Sequence, residues 1–522
     1  GCLRPVACIS CRPRPRQVFV ARARSRSGVR AKRRCFGVVE KIAARNAIKI
    51  GAAFFALMVV WSFLTPLFSG PDEPSNFIRS AAVVRGEWVG ENYPASIEKS
   101  YWTTYVHIDP QFGTANAIPW CFAPFPEKPG CGIAVEDAPV VDIPTWTNMG
   151  RYPPLPFVIS GIGTMFGATN LSVYMARVMT SLVSALLIAC SAYAIMRRKQ
   201  SLVGLLVALT PGTIFLASAM NPSALEICSA IAMWSILPSI HQGQVNERII
   251  QYIFIGAGVL LIATRPIGIA MYVAVSVISW VAFGSTKLIP FIKENKVALL
   301  IHSLTAALMA WWYVAVYSYQ TSPSLTAGAE KVSVTTQFTR SMNHMPELLD
   351  QVVGNFGWLD TPMPRGALWL YLLCAAIVII ASLNQLRKRS ALALTMLSMT
   401  VVCVSIAVDM NFYAMFGWFG AQGRHIAPIL VGVPLLVATQ SNFGTRLQIG
   451  IVTGWSVAMV WAGLGALRRY TVGVNGNKAF SMFTERTWNP SIGFWVSIIL
   501  LVTTTVLVAK TVTSSRQALA DQ

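Results

Sequence analysis

The stretch Ile48 to Pro74, IKIGAAFFALMVVWSFLTPLFSGPDEP, decides how the whole chain is read. From Ile48 to Phe68 it is apolar, about the 20 residues a helix needs to cross a bilayer. It closes in Gly70-Pro71-Asp72-Glu73-Pro74, so two adjacent carboxylates stand at its far end. Pro71 and Pro74 bias their neighbours to extended geometry, which predicts a stiff acidic turn at the membrane surface. Asn76 to Trp88 then reads as helix, with Phe77, Ala81 and Val84 on one side. This junction is the candidate catalytic corner of a membrane enzyme.

Working outward, 54% of the 522 residues are hydrophobic, 12% are charged and the mean hydropathy is +0.55. That is too apolar for a soluble protein and indicates a polytopic membrane protein. The net charge of +21 points away from nucleic acid once it is located. Residues 1–49 carry 14 Lys and Arg against the single acid Glu40. Residues 1–46 therefore read as a basic, disordered cytoplasmic tail. Its Cys2, Cys8, Cys11 and Cys35 lack the partner set of a zinc site. The first apolar run is too long for a cleaved signal and is expected to stay as an anchor.

Lys/Arg bias sets the orientation. With the tail inside, residues 70–172 form a long outer loop. Gly70 to Arg151 holds ten acids against five Lys and Arg, in agreement. An oxidising exterior favours a disulfide between Cys121 and Cys131 over free thiols. The Pro- and Gly-interrupted segment Tyr152 to Phe166 reads as an interfacial helix, with Val173 to Met196 as the second crossing. Further crossings follow at about 201–219, 221–238, 249–264, 266–284, 297–317, 366–383, 391–408, 425–440, 447–467 and 491–511. The expectation is an all-α domain over 47–512 with about twelve crossings, then a short tail, 513–522. Both termini are expected in the cytoplasm and the protein in the plasma membrane.

The loops hold no Walker motif, no strand–GxGxxG–helix unit, no HExxH and no GxSxG. Nucleotide-driven pumping and the common hydrolase mechanisms lack their parts. The inside loops are short, which argues against a soluble nucleotide-sugar donor bound from the cytoplasm.

Pro71-Asp72-Glu73-Pro74 and Asn76-Phe77-Ile78-Arg79, with Arg151-Tyr152-Pro153-Pro154-Leu155, Asn221-Pro222-Ser223-Ala224-Leu225 and Gln422-Gly423-Arg424, resemble the DUF2142 family. The likeness runs from about Ile48 to Lys510, and that family resembles the GT-C membrane glycosyltransferases. The resemblance implies transfer of a sugar from a polyprenyl-phosphate carrier to a cell-envelope glycan or lipid acceptor on the outer face. Asp72 is then the general base for the acceptor hydroxyl, with Glu73 orienting the acceptor or substituting for it. A lipid phosphate leaving group wants fixed guanidinium donors, and Arg151, Arg265 and Arg424 are the candidates. Tyr152, Asp360 and His425 complete the expected substrate-binding set. The partners implied are the bilayer, the lipid-linked donor and the acceptor, with no nucleic acid.

Competing readings are plain. An Arg at a span end is often a snorkelling anchor, the reading preferred for Arg79 and Arg177. Glu226, inside a span, needs a partner and is read as helix packing. Asp109, Asp137 and Asp142 read as loop solvation, and Trp102, Trp120 and Trp146 as interface residues. Asp72, Glu73 and Asp360 are enough carboxylates to gather round a divalent cation, but nothing in their spacing demands one and no metal is assigned. A transporter or flippase, or a non-catalytic subunit of envelope assembly, are the alternatives to an enzyme.

Overall fold

A computed structural model describes residues 18–92, 103–140, 145–242, 248–284, 288–317, 332–416, 420–441, 443–474 and 480–520. Residues 1–17 with Cys2, Cys8 and Cys11 lie outside the described residues, as do Trp102 and Asp142. Eight of the described helices are long and apolar enough to cross a membrane. The architecture is all-helical, with two very small sheets.

Helix α1 is Val18–Leu64, with its apolar span over Glu40–Leu64. The expected disordered tail is thus helical from Val18 onward. Its Arg, Ala and Lys residues are good helix formers, and extending an existing helix costs far less than starting one. The outer loop follows. It contains α2 (Glu73–Val84), a three-stranded antiparallel sheet and α3 (Leu155–Gly161). The sheet pairs Asn92 with Thr104 and Thr104 with Thr147. Cys121 and Cys131 are joined in a disulfide. With its 3-10 extension α3 reaches only Phe166, about half the rise needed to cross, and it exposes Val158, Ile162, Met165 and Phe166.

The bundle continues with α4 (Asn170–Arg197), α5 (Val203–Ala208), α6 (Pro211–Ala217), α7 (Pro222–His241), α8 (Arg248–Ala263) and α9 (Gly268–Phe283). After these come α10 (Leu288–Glu294), α11 (Lys296–Trp312), α12 (Val334–Gly354), α13 (Arg365–Leu383) and α14 (Lys388–Phe416). The chain closes with α15 (Gly423–Leu430), α16 (Gly432–Ala438), α17 (Thr445–Val472) and α18 (Phe494–Ala520). Helix α1 packs on α4 and α18, and α4 on α7, which is buried along its whole length. Trp61, Trp234 and Trp455 fill the interior.

Two expected crossings are broken. The segment 201–219 is split at Leu209-Thr210, where Pro211 has no N–H to continue the ladder and instead opens α6 at its first turn. The segment 425–440 is split at Val431 between α15 and α16. The bond-making groups at the first break are satisfied by side chains. Trp455 Nε1 donates to Leu209 O (3.1 Å), Tyr371 Oη to Val207 O (2.5 Å), and Thr210 Oγ1 to Val352 O (2.7 Å).

Candidate functional site

The acidic elbow is built by backbone geometry. Helix α2 begins at Glu73 rather than Asn76, because Pro74 falls in the first turn, where a missing N–H costs nothing. Asp72 is its N-cap and sits at φ 59°, in the left-handed region that costs a non-glycine residue about 1–2 kcal/mol. An N-cap Asp usually spends its carboxylate on the first turn's N–H groups. This one makes no such bond, and Asn76 N donates to the backbone oxygen of Asp72 instead. The carboxylate is left to turn outward, and Arg424 Nη2 meets its Oδ2 at 2.7 Å.

Side-chain amides stitch this elbow to the start of α7. Asn76 Nδ2 donates to Met220 O (2.7 Å) and Asn221 Nδ2 to Pro71 O (3.0 Å), while Asn221 Oδ1 caps α7 through Ser223 N. Between these elements, α9, α14 and the start of α15, lies a cavity of about 460 Å³. Asp72, Asn76, Tyr152, Arg265, Arg424 and His425 all line it, together with Asn221, Pro222, Ser223, Asn411 and Gln422. The N-cap residues of α2, α7, α9 and α15 (Asp72, Asn221, Ile267 and Gln422) thus all line one cavity, and each helix start carries partial positive charge.

Five of the expected site residues are therefore brought together: Asp72, Tyr152, Arg265, Arg424 and His425. Arg265 is held by Glu226 at 3.1 Å. The Tyr152 ring packs edge-on against Tyr317, which also lines the cavity. His425 Nδ1 accepts from Gln422 N (3.0 Å), so the imidazole closes the first turn of α15 while lining the cavity. Gly423 is required there, since any side chain would meet Leu348 O and the backbone of Val352.

Three of the expected site residues, Glu73, Asp360 and Arg151, lie away from the cavity wall. Glu73 is fully buried and does not line the cavity. Its two oxygens accept from Arg177 Nε and Nη2, both at 2.7 Å, and from Met220 N and Gly70 N. Arg177 also donates to Ser62 O (2.6 Å) and Pro66 O (2.8 Å), so this pair ties the ends of α1 and α2 to α4. Arg177 is accordingly no snorkelling anchor. Asp360 is likewise taken out of contact with the cavity: it pairs with Arg469 at 2.8 Å and accepts from Trp358 N inside a tight turn. Arg469 in turn donates to Lys128 O and Phe122 O, pinning the disulfide loop. Arg151 is spent on Val316 O (3.1 Å) and Asn92 Oδ1, which closes the outer loop onto the turn that follows α11. Burial lowers the pKa of its guanidinium.

Arg79 is also an internal tie, donating to Trp88 O (2.6 Å) and Tyr152 O (3.0 Å). Burial pushes it down to about 9, with Glu87 pulling the other way. The carboxylates considered for a cation do not gather: Asp72, Glu73 and Asp360 are each claimed by a different arginine. Among the described residues no cluster of three His, Cys, Asp or Glu side chains is placed to hold a metal. The amides Asn76, Asn221 and Gln422 join the cavity wall, and all three stand in the motifs that carry the family resemblance.

Fold and site together define an all-helical polytopic membrane protein with a cavity lined by two arginines. The family model described as "Predicted membrane protein (DUF2142)" matches residues 55–433, and the chain belongs to that family. No curated protein matches it in sequence. Among solved structures it is similar to the crystal structure of ArnT from Cupriavidus metallidurans bound to undecaprenyl phosphate, with 11% identity and a TM-score of 0.44. That likeness covers 90% of this chain and 77% of the other.

Proposed function

We propose that this protein is a membrane glycosyltransferase that moves a sugar from a polyprenyl-phosphate carrier to a glycan or lipid acceptor on the outer face. One observation carries the reading: a carboxylate, two guanidinium groups and four helix starts share a single cavity. The acceptor hydroxyl gives its proton to Asp72 as its oxygen attacks the anomeric carbon. The bond from that carbon to the phosphate oxygen breaks, and its electron pair stays on the phosphate. Arg265, Arg424 and the helix starts stabilise that charge. Tyr152 offers an aromatic face to the sugar, and the amides hydrogen-bond its hydroxyls.

The Asp72–Arg424 pair fits this chemistry. A phosphate entering the cavity competes for the guanidinium, and the carboxylate it releases is then free to take a proton. Orientation supports the outer face. The Arg197-Arg198-Lys199 and Arg387-Lys388-Arg389 clusters, with Lys41, Arg45 and Lys49 on α1, stand at the helix ends opposite the cavity. The break between α5 and α6, a feature transporters exploit, is spent on Trp455, Tyr371 and Val352, and Leu209 and Thr210 do not line the cavity.

The test compares lipid-linked sugars and surface glycans in a strain lacking the gene, its parent and the complemented strain. The reading expects one sugar missing from the surface and its lipid carrier form accumulating. If neither pool changes, the transferase reading is wrong.

A further inference from the structure

The two cavity arginines are held in different ways. Arg424 is paired with Asp72, itself a cavity residue with a third of its side chain exposed. Arg265 is paired with Glu226, whose side chain is fully buried and does not line the cavity. Glu226 stands one turn into α7, the helix whose first residues Pro222 and Ser223 form part of the cavity wall. It meets Arg265 where the chain turns from α8 to α9 ahead of Pro266. The bond from Arg265 Nη1 to Glu226 Oε2 is the one hydrogen bond this guanidinium makes among the described residues. Glu226 Oε1 has no partner there, so the buried carboxylate depends on Arg265 as much as it fixes it.

We infer that Glu226 is a positioning residue for the lipid phosphate: it holds the Arg265 guanidinium at the cavity wall, so that Arg265 is a standing phosphate donor while Arg424 exchanges between Asp72 and the phosphate. The inference rests on the proposed transferase reading. An arginine side chain left without this clamp has many rotamers and a second carboxylate, Asp72, on the same cavity. Without Glu226 it is lost to the phosphate and competes for the base. A simple charge argument gives the opposite sign, since removing a neighbouring negative charge would by itself strengthen the attraction of Arg265 for an anion. The direction of the effect therefore separates positioning from neutralisation.

The experiment titrates undecaprenyl phosphate, and in parallel undecaprenol, into the purified full-length chain in detergent, reading the bound fraction by native mass spectrometry. Glu226→Gln keeps the shape and removes the charge; Glu226→Asp keeps the charge and shortens the reach. The expected result is roughly tenfold weaker binding of the phosphate by Glu226→Gln, a smaller loss for Glu226→Asp, and undecaprenol binding unchanged in both. A general packing defect would weaken both lipids alike and would overturn the positioning role. Equal or tighter phosphate binding by Glu226→Gln also overturns it while leaving the transferase reading intact. Should Glu226→Gln not fold, Glu226→Asp alone decides, with equal binding counting against the inference. If the wild-type chain prefers neither lipid, the transferase reading falls and this inference with it.

Discussion

Asp72 and Glu73 are neighbours in sequence with the same charge, yet the fold gives them opposite fates. Glu73 is dry, accepts four hydrogen bonds and is matched by Arg177, itself fully buried. Asp72 keeps a third of its side chain exposed, makes one ion pair and pays for its orientation with a strained backbone. A buried pair whose every oxygen is occupied holds helices together and has nothing left to offer a substrate. A partly exposed carboxylate facing a cavity, relieved of its capping duty, has spare lone pairs and a cation that a phosphate can draw away. The proposed chemistry therefore falls to the first acid, while the second ties helices together.

The contrast can be broken by exchanging which acid is damaged. Glu73→Ala or Arg177→Ala leaves a buried charge without its partner, at a cost of about 3–5 kcal/mol. The chain should fail to accumulate in membranes, as judged by its abundance and its thermal unfolding. Replacing both with hydrophobic residues of similar volume should recover much of that loss. Cys121→Ser should cost about 2 kcal/mol, near the lower end for a disulfide of this loop length. Arg469 also pins the loop through Phe122 O and Lys128 O, and Gly130 N donates to Tyr470 O. Thermal unfolding with and without reductant checks this. Arg424→Ala should change stability by less than about 1 kcal/mol, because its partner Asp72 is screened by solvent. Its effect should appear instead as weaker binding of undecaprenyl phosphate. A fall in abundance as large as that of Arg177→Ala would erase the distinction between the two pairs.

Much of the fold and part of the site were legible in the sequence, for identifiable reasons. The run from Ile48 to Phe68 and the basic clusters are signals of composition, and composition decides membrane insertion. The disulfide was legible because Cys121 and Cys131 are ten residues apart on one loop. Arg265 and Arg424 were legible because a cation beside a proline or glycine at the end of an apolar run has few other places to go. The burial of Glu73 was not legible because its partner lies 104 residues away on another helix, nor was the pairing of Asp360, whose partner lies 109 away. Nothing local tells a buried ion pair from a reactive acid. The break at Leu209-Thr210 was visible in principle, since Thr210-Pro211 is a capped helix start, but overall hydropathy masked it. Glu226 was flagged as an acid needing a partner, and that partner proved to be one of the two cavity arginines.

Asp72→Asn removes the negative charge while preserving size and its place on the cavity wall, so it isolates the proposed proton transfer. In a strain whose own gene is deleted, Asp72→Asn and wild type, expressed at equal abundance, are compared for incorporation of sugar from the lipid carrier into surface glycan. The account expects incorporation to fall by about 100-fold or more, with the lipid-linked sugar accumulating. Incorporation equal to wild type would remove Asp72 from the base role and with it the division of labour between the two adjacent acids.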